Sequence, residues 1–148
     1  MNQPSTRRAL EIPSEARFSI ESPQVVSAFE SGNDLYSCAM DNVRYTLEHG
    51  IDVLIYNGNL DLACNTPGNL RWTNSLRWSG QAEFTSQDLK PWVSPVRGES
   101  IHAGHYKEVF APSVDSRLAF VTVDRAGHMV PLAQPAVALD LYERWLFR

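Results

Sequence analysis

The sequence predicts an α/β fold, with helices flanking a sheet that contains buried parallel strands. Three observations carry this prediction. Val53-Leu54-Ile55-Tyr56 is a short apolar run without polar alternation, as a strand covered on both faces requires. The segment before it is helical in pattern and stops at Gly50, giving the helix–turn–strand order of an α/β unit. A second strand-like run, Leu118-Ala119-Phe120-Val121-Thr122-Val123, leads through a short loop into another helical segment.

Residues 2–12 read as a short helix, with Pro4 early in it, where the missing N–H costs nothing. Residues 13–21 read as loop or irregular strand. A second helical stretch opens at Pro23, runs to Phe29 and is broken by Gly32-Asn33-Asp34. Residues 35–49 make a better helix, because Tyr36, Met40, Val43 and Leu47 recur on one helical face. Gly50 is a natural C-terminal stop, and the strand at 53–56 follows.

Thr66 is the expected N-cap of a helix over 67–78. Leu70, Thr73, Leu76 and Arg77 fall on or near one side of it, and Trp72 and Trp78 read as packing residues. Residues 81–85 and 92–96 read as short extended pieces. Residues 99–110 and 118–123 are expected to form a hairpin. Residues 135–146 form an amphipathic helix burying Ala138, Leu141, Tyr142 and Trp145. With no internal repeat, linker or low-complexity tract, residues 1–148 read as one structural unit.

The chain has 148 residues, 43% of them hydrophobic, a content normal for a globular domain. Thirteen basic against 17 acidic residues give a net charge of −4, and no basic stripe appears, which argues against nucleic acid as a partner. No apolar run approaches the roughly 18 residues of a membrane span. The start, Met1-Asn2-Gln3-Pro4, lacks the apolar segment of a signal peptide. The two cysteines, Cys38 and Cys64, decide little by number alone.

Two sites carry chemistry. Ala126-Gly127-His128-Met129-Val130-Pro131 holds a histidine on a short loop after the 118–123 strand. Loops at strand ends are where α/β enzymes keep reactive groups. Far upstream, Asn57-Gly58-Asn59 is turn chemistry, and Asp61 lies just past the end of the 53–56 strand. A carboxylate there can accept a hydrogen bond from an imidazole, fix its tautomer and stabilise its cation. Each residue alone also has an ordinary reading: His128 as a surface or packed histidine, Asp61 as a turn or capping carboxylate.

Together the two sites resemble the serine carboxypeptidases, a family of α/β-hydrolase fold. The resemblance rests on Tyr56, Gly58, Asp61, Cys64 and Asn65 in one block and on Gly127 to Pro131 in the other. Gly68-Asn69, Trp72, Leu76-Arg77-Trp78 and the ending from Gln134-Pro135 to Trp145 also look like the family. The likeness covers nearly the whole chain, more weakly before about residue 40, and implies the C-terminal part of an α/β-hydrolase fold, an incomplete sheet with flanking helices.

The resemblance implies a triad in the chain order Ser, Asp, His. Asp61 would be its carboxylate and His128 its general base. Cys64 matches a cysteine that is unpaired and lies beside the substrate pocket, and Met129 matches a residue on the leaving-group side of that pocket. Simple packing would account for both side chains equally well. Cys38 matches a cysteine that bridges to the N-terminal part of the enzyme, so a Cys38–Cys64 disulfide is not expected. No cofactor is implied.

The nucleophile is missing. The family's elbow reads Gly-Glu-Ser-Tyr-Ala-Gly and lies upstream of the Asp block. The lookalike here, Gly98-Glu99-Ser100-Ile101-His102-Ala103-Gly104, has an inserted residue and falls between Asp61 and His128. An elbow needs an apolar strand before it and a helix after it. Pro91 and Pro95 precede this one and a strand pattern follows it, so Ser100 reads as a decoy. His102 and His105 then read as exposed strand or turn residues, with no Cys or carboxylate cluster beside them to suggest a metal.

By resemblance, then, the complete protein would release C-terminal residues of peptides through an acyl-enzyme. Its expected place is the secretory pathway, in a vacuole or lysosome or outside the cell. This chain would contribute Asp61 and His128. Its expected partners are a peptide substrate and an N-terminal chain or segment that carries the serine, disulfide-linked through Cys38. Alone, the chain is expected to be inactive and poorly stable, because its central strand would expose an edge. The alternatives are an inactive fragment or interaction module, or a relative with acyltransferase or hydroxynitrile lyase chemistry.

Overall fold

Pairing of the two apolar runs builds the centre of the fold. In the computed structural model, which describes residues 2–34 and 39–147, β1 (Val53–Gly58) and β4 (Ser116–Val123) are parallel neighbours, with Val53 opposite Leu118 and Gly58 opposite Val123. The described residues group into two compact units, Met1–Cys38 and Ala39–Arg148.

The first unit holds α1 (Pro4–Ala9) and α2 (Pro23–Ser31), each with a proline in its first turn and no buried residue. Its ties are polar. The Asn2 side chain exchanges two hydrogen bonds with the backbone of Phe18, and the Arg7 guanidinium donates to the carbonyls of Pro13, Ser14 and Ala16.

The second unit is an open sheet of order β1-β4-β3-β2. β2 (Lys90–Val96) pairs antiparallel with β3 (Glu99–Ala111), and β3 pairs antiparallel with β4. The β2–β3 hairpin is locally encoded. Arg97 and Gly98 both have positive φ (53° and 84°), as a two-residue turn matching strand twist requires. Pro91 and Pro95 lie in β2, at the sheet edge, where proline is tolerated.

Side chains alternate across the sheet into two cores. Leu118 and Phe120 of β4 join Leu47, Leu76, Trp78 and Phe84 on one face. Val121 and Val123 join Val130, Val137, Ala138 and Leu141 on the other. The first core is covered by α3 (Met40–Glu48), α4 (Thr66–Ser75) and α5 (Gln81–Ser86), the second by α6 (Val130–Ala133) and α7 (Pro135–Leu146). β4 is therefore buried on both sides, whereas β1 stands at the edge with Val53 to Tyr56 only half-buried. This is an α/β architecture with an incomplete sheet and flanking helices.

Several details differ from expectation. Residues 81–85 are helical, not extended. α5 is too short for its period to be read from sequence, and it forms because Phe84 is fully buried beneath it. The cap of α4 is Asn65, whose side chain accepts from the Gly68 N–H at 2.9 Å. Thr66 instead accepts a hydrogen bond from the Asn57 side chain at 2.8 Å. α4 ends at Ser75, and Arg77 is exposed beyond it. In α3, Met40, Val43 and Leu47 face the core as their spacing requires, while Tyr36 and Cys38 lie outside the described residues.

Candidate active site

Two loops leave neighbouring parallel strands at the same end of the sheet. The first, residues 59–65, joins β1 to α4; the second, residues 124–129, joins β4 to α6. They are stitched together by backbone hydrogen bonds from Asn59 N to Val123 O and from Leu60 N to Ala126 O, both 2.9 Å. Gly58 lets them approach this closely, because it has no side chain to separate them.

Asp61 rides on the first loop and His128 on the second. His128 Nδ1 lies 2.8 Å from Asp61 Oδ2. Oδ1 of the same carboxylate accepts the N–H groups of Ala63 at 2.9 Å and Cys64 at 3.0 Å. The carboxylate is thus fixed from two directions. Its side chain is 6% exposed against 67% for His128. The hydrogen bond from His128, then those from the Cys64 and Ala63 amides, hold its pKa below the ordinary carboxyl range, against an opposing effect of burial.

With Nδ1 committed to Asp61, an imidazole presents Nε2 for proton transfer. Among the described residues, Nε2 of His128 has no hydrogen-bond partner. The arrangement orients a base and can stabilise its cation.

Cys64 is free and exposed, three residues beyond Asp61, and Met129 is exposed beside His128. The Asp61 carboxylate, the Cys64 thiol and the His128 imidazole offer ligand atoms within 4.8 Å of one another. That donor set suits a soft divalent cation, a grouping not anticipated from sequence. Both Asp61 oxygens are already engaged by N–H donors, however, and zinc's bond lengths of about 2.0–2.3 Å demand closer convergence. The geometry favours proton handling over ion binding.

Ser100 lies in β3, two residues past Gly98 of the turn, opposite Pro95 of β2. It has strand on both sides rather than a strand-to-helix elbow. His102 is half-exposed on the same strand, its Nδ1 3.0 Å from Asp124 Oδ2. His105 packs edge-on against it, with ring centroids 5.0 Å apart.

One family model matches this chain along its whole length, and individual relatives match about two thirds or more of it. The family model for serine carboxypeptidase matches residues 1–148. Carboxypeptidase Y of Schizosaccharomyces pombe is 39% identical over 106 residues, covering 72% of this chain and 10% of that protein. A serine carboxypeptidase-like protein of Pisum sativum is 44% identical over 99 residues, 67% of this chain and 31% of its own. A vacuolar serine-type carboxypeptidase of Saccharomyces cerevisiae is 38% identical over 100 residues, 68% of this chain and 18% of its own. Among solved structures, the prohormone-processing carboxypeptidase Kex1(delta)p of Saccharomyces cerevisiae superposes with a TM-score of 0.58 and 27% identity, over 72% of this chain and 22% of that one. The chain thus spans less than a third of each of these relatives. A family match over every residue, together with a shared fold, means that this chain belongs to the serine carboxypeptidase family.

Proposed function

We propose that this chain supplies the carboxylate and the imidazole of a Ser–His–Asp triad in a serine carboxypeptidase whose nucleophile lies outside these 148 residues. The observation that carries the reading is the 2.8 Å contact between His128 Nδ1 and an Asp61 carboxylate already held by two backbone amides. His128 Nε2 takes the serine proton as the hydroxyl attacks the scissile carbonyl. Asp61 stabilises the imidazolium, which then protonates the leaving amine. Cys64 and Met129, both exposed beside the pair, would border the pocket for the residue that leaves.

In this reading the serine comes from an N-terminal chain or segment, linked through Cys38 where the two are separate chains. The complete enzyme would work in a vacuole, a lysosome or outside the cell; one similar yeast protein is named as vacuolar. No described helix is long and apolar enough to cross a membrane.

A fluorophosphonate probe tests the assignment. It should label a serine of the complete enzyme outside this chain and leave Ser100 unmodified, and His128→Ala should abolish labelling. Labelling at Ser100 would overturn the reading. The β-hairpin around Ser100 favours a second reading for the chain alone: an inactive piece, because members of a triad act as a unit. A complete protein that hydrolyses no blocked dipeptide at any pH would extend that inactivity to the whole.

A further inference from the structure

We propose that Asn59 and Asp124 form a clasp between the two site loops, and that Asn59 is a positioning residue that sets the distance between Asp61 and His128. The inference rests on the reading of those two residues as a triad pair.

Asn59 lies two residues before Asp61, on the first loop. Both polar groups of its side chain reach the second loop, and its own N–H reaches the last residue of β4. Its Nδ2 donates to Asp124 Oδ1 at 2.9 Å, its Oδ1 accepts the Arg125 N–H at 3.0 Å, and its backbone N–H donates to Val123 O at 2.9 Å. The three partners, Val123 to Arg125, are consecutive and span the end of β4 and the start of the loop that carries His128.

Asp124 is itself fixed. Its N–H donates to Ala103 O at 2.8 Å, and its other carboxylate oxygen contacts His102 Nδ1 at 3.0 Å, both on β3. The sheet therefore holds Asp124, Asp124 and Arg125 hold Asn59, and Asn59 fixes the approach of the Asp61 loop.

The chemistry calls for an amide at position 59. An amide donates to a carboxylate and accepts from a backbone N–H at once. A carboxylate there could accept from Arg125 but would face Asp124 with like charge. An apolar side chain would satisfy neither partner. Asn59, Leu60 and Arg125 are exposed around this tie and the small Ala126 packs beside it, so little apolar packing could replace it.

The pair it positions tolerates small errors poorly, since a misplacement of about 1 Å can cost about 100-fold in rate. A loop tie that served stability alone would change the melting temperature and leave the His128 contact as it is.

The test uses the complete enzyme with 15N-labelled histidine. In the unmutated protein, the Nδ1 proton of His128, held by Asp61, should give a resolved downfield resonance. Asn59→Ala and Asp124→Ala should broaden or abolish it, and kcat should fall about 10-fold to 100-fold with KM within about twofold. Asp124→Asn keeps an oxygen facing Asn59 and should retain both the resonance and most of kcat. An unchanged resonance in Asn59→Ala and Asp124→Ala would overturn the proposal, as would an Asp124→Asn protein as impaired as Asp124→Ala. Should Asn59→Ala fail to fold, the Asp124 pair decides alone, because that side chain is partly exposed. Absence of the resonance from the unmutated protein would instead overturn the triad reading, and the clasp's role with it.

Discussion

Gly58 lies so close to Ala126 that a Cβ on it would stand 2.2 Å from the Ala126 carbonyl oxygen, and 2.4 Å from that of Gly127. These are backbone atoms, which cannot rotate away. Gly58→Ala must therefore push the Asp61 and His128 loops apart. Overpacking of this kind costs about 1–3 kcal/mol. The urea midpoint of the complete enzyme should fall accordingly, and activity should fall with it. An unchanged midpoint would show that the two loops are not in this contact.

The same contact marks a boundary of what the sequence reveals. β1 and β4 are legible because the runs Val53–Tyr56 and Leu118–Val123 are apolar at every step or nearly so, the pattern of a strand covered on both faces; β4 is buried in this way, whereas β1 is half-buried at the sheet edge. α7 is legible because its period extends over twelve residues. α5 is not, because six residues hold less than two turns and its helicity comes from the burial of Phe84. Position-by-position reading offers Asp61 and His128 only as separate candidates. Their meeting spans 67 residues of sequence and is foreseen through the family's paired motifs rather than through any local signal. The contacts of Asn59 with Asp124, and of Asp124 with His102, carry no local signal beyond the turn residues Asn57-Gly58-Asn59.

Asp61 predicts an acid limb. His128 first, and then the Cys64 and Ala63 amides, hold its folded pKa below the ordinary value of 3.8. Ionised Asp61 therefore favours the folded state above that value, and the contribution fades as pH falls through the lowered folded value. Asp61→Asn should flatten the stability profile in that acid window while leaving its shape near neutrality intact. In the complete enzyme the same change should lower kcat by about 10³-fold to 10⁴-fold, because the imidazole loses its fixed tautomer. An acid limb identical in the two proteins would contradict the hydrogen-bonding seen here.

Tyr56 predicts an alkaline one. Its hydroxyl lies 2.6 Å from that of Tyr142, joining β1 to α7, with the rings edge to face. The hydrogen bond with Tyr142, followed by burial and the charge of a second phenolate, pushes the Tyr56 phenol up to about 12. The unfolded chain releases that proton first, so stability should fall with rising pH once the ordinary value of 10 is passed. Tyr142→Phe keeps the ring contact and removes the hydroxyl. It should cost about 0.5–1.5 kcal/mol at neutral pH and bring the Tyr56 titration, followed by phenolate absorbance, down toward 10. A titration that does not move would mean that burial rather than Tyr142 controls it.

Lys107 sets two opposed effects against each other. The residue is 3% exposed. Its ammonium donates to Asn74 Oδ1 at 2.7 Å, Phe84 O at 2.9 Å and Gln87 O at 3.4 Å, and lies 4.2 Å from the centre of the Phe84 ring. Burial lowers its pKa, partly countered by Asp88. Lys107→Met removes the desolvation of a charge but strands three acceptors that the lysine now serves at the junction of α4, α5 and β3. Leaving buried acceptors unserved costs about 1–3 kcal/mol, so the substitution should destabilise the fold, with the loss read from urea unfolding. The pH dependence has the opposite sign to that of Tyr56. Between the lowered folded value and the ordinary 10.5, the unfolded chain binds the extra proton, so Lys107 adds a stability that rises with pH, and the methionine variant should lack that rise. A Lys107→Met protein as stable as the original would show that the cost of burying the ammonium outweighs the hydrogen bonds it makes.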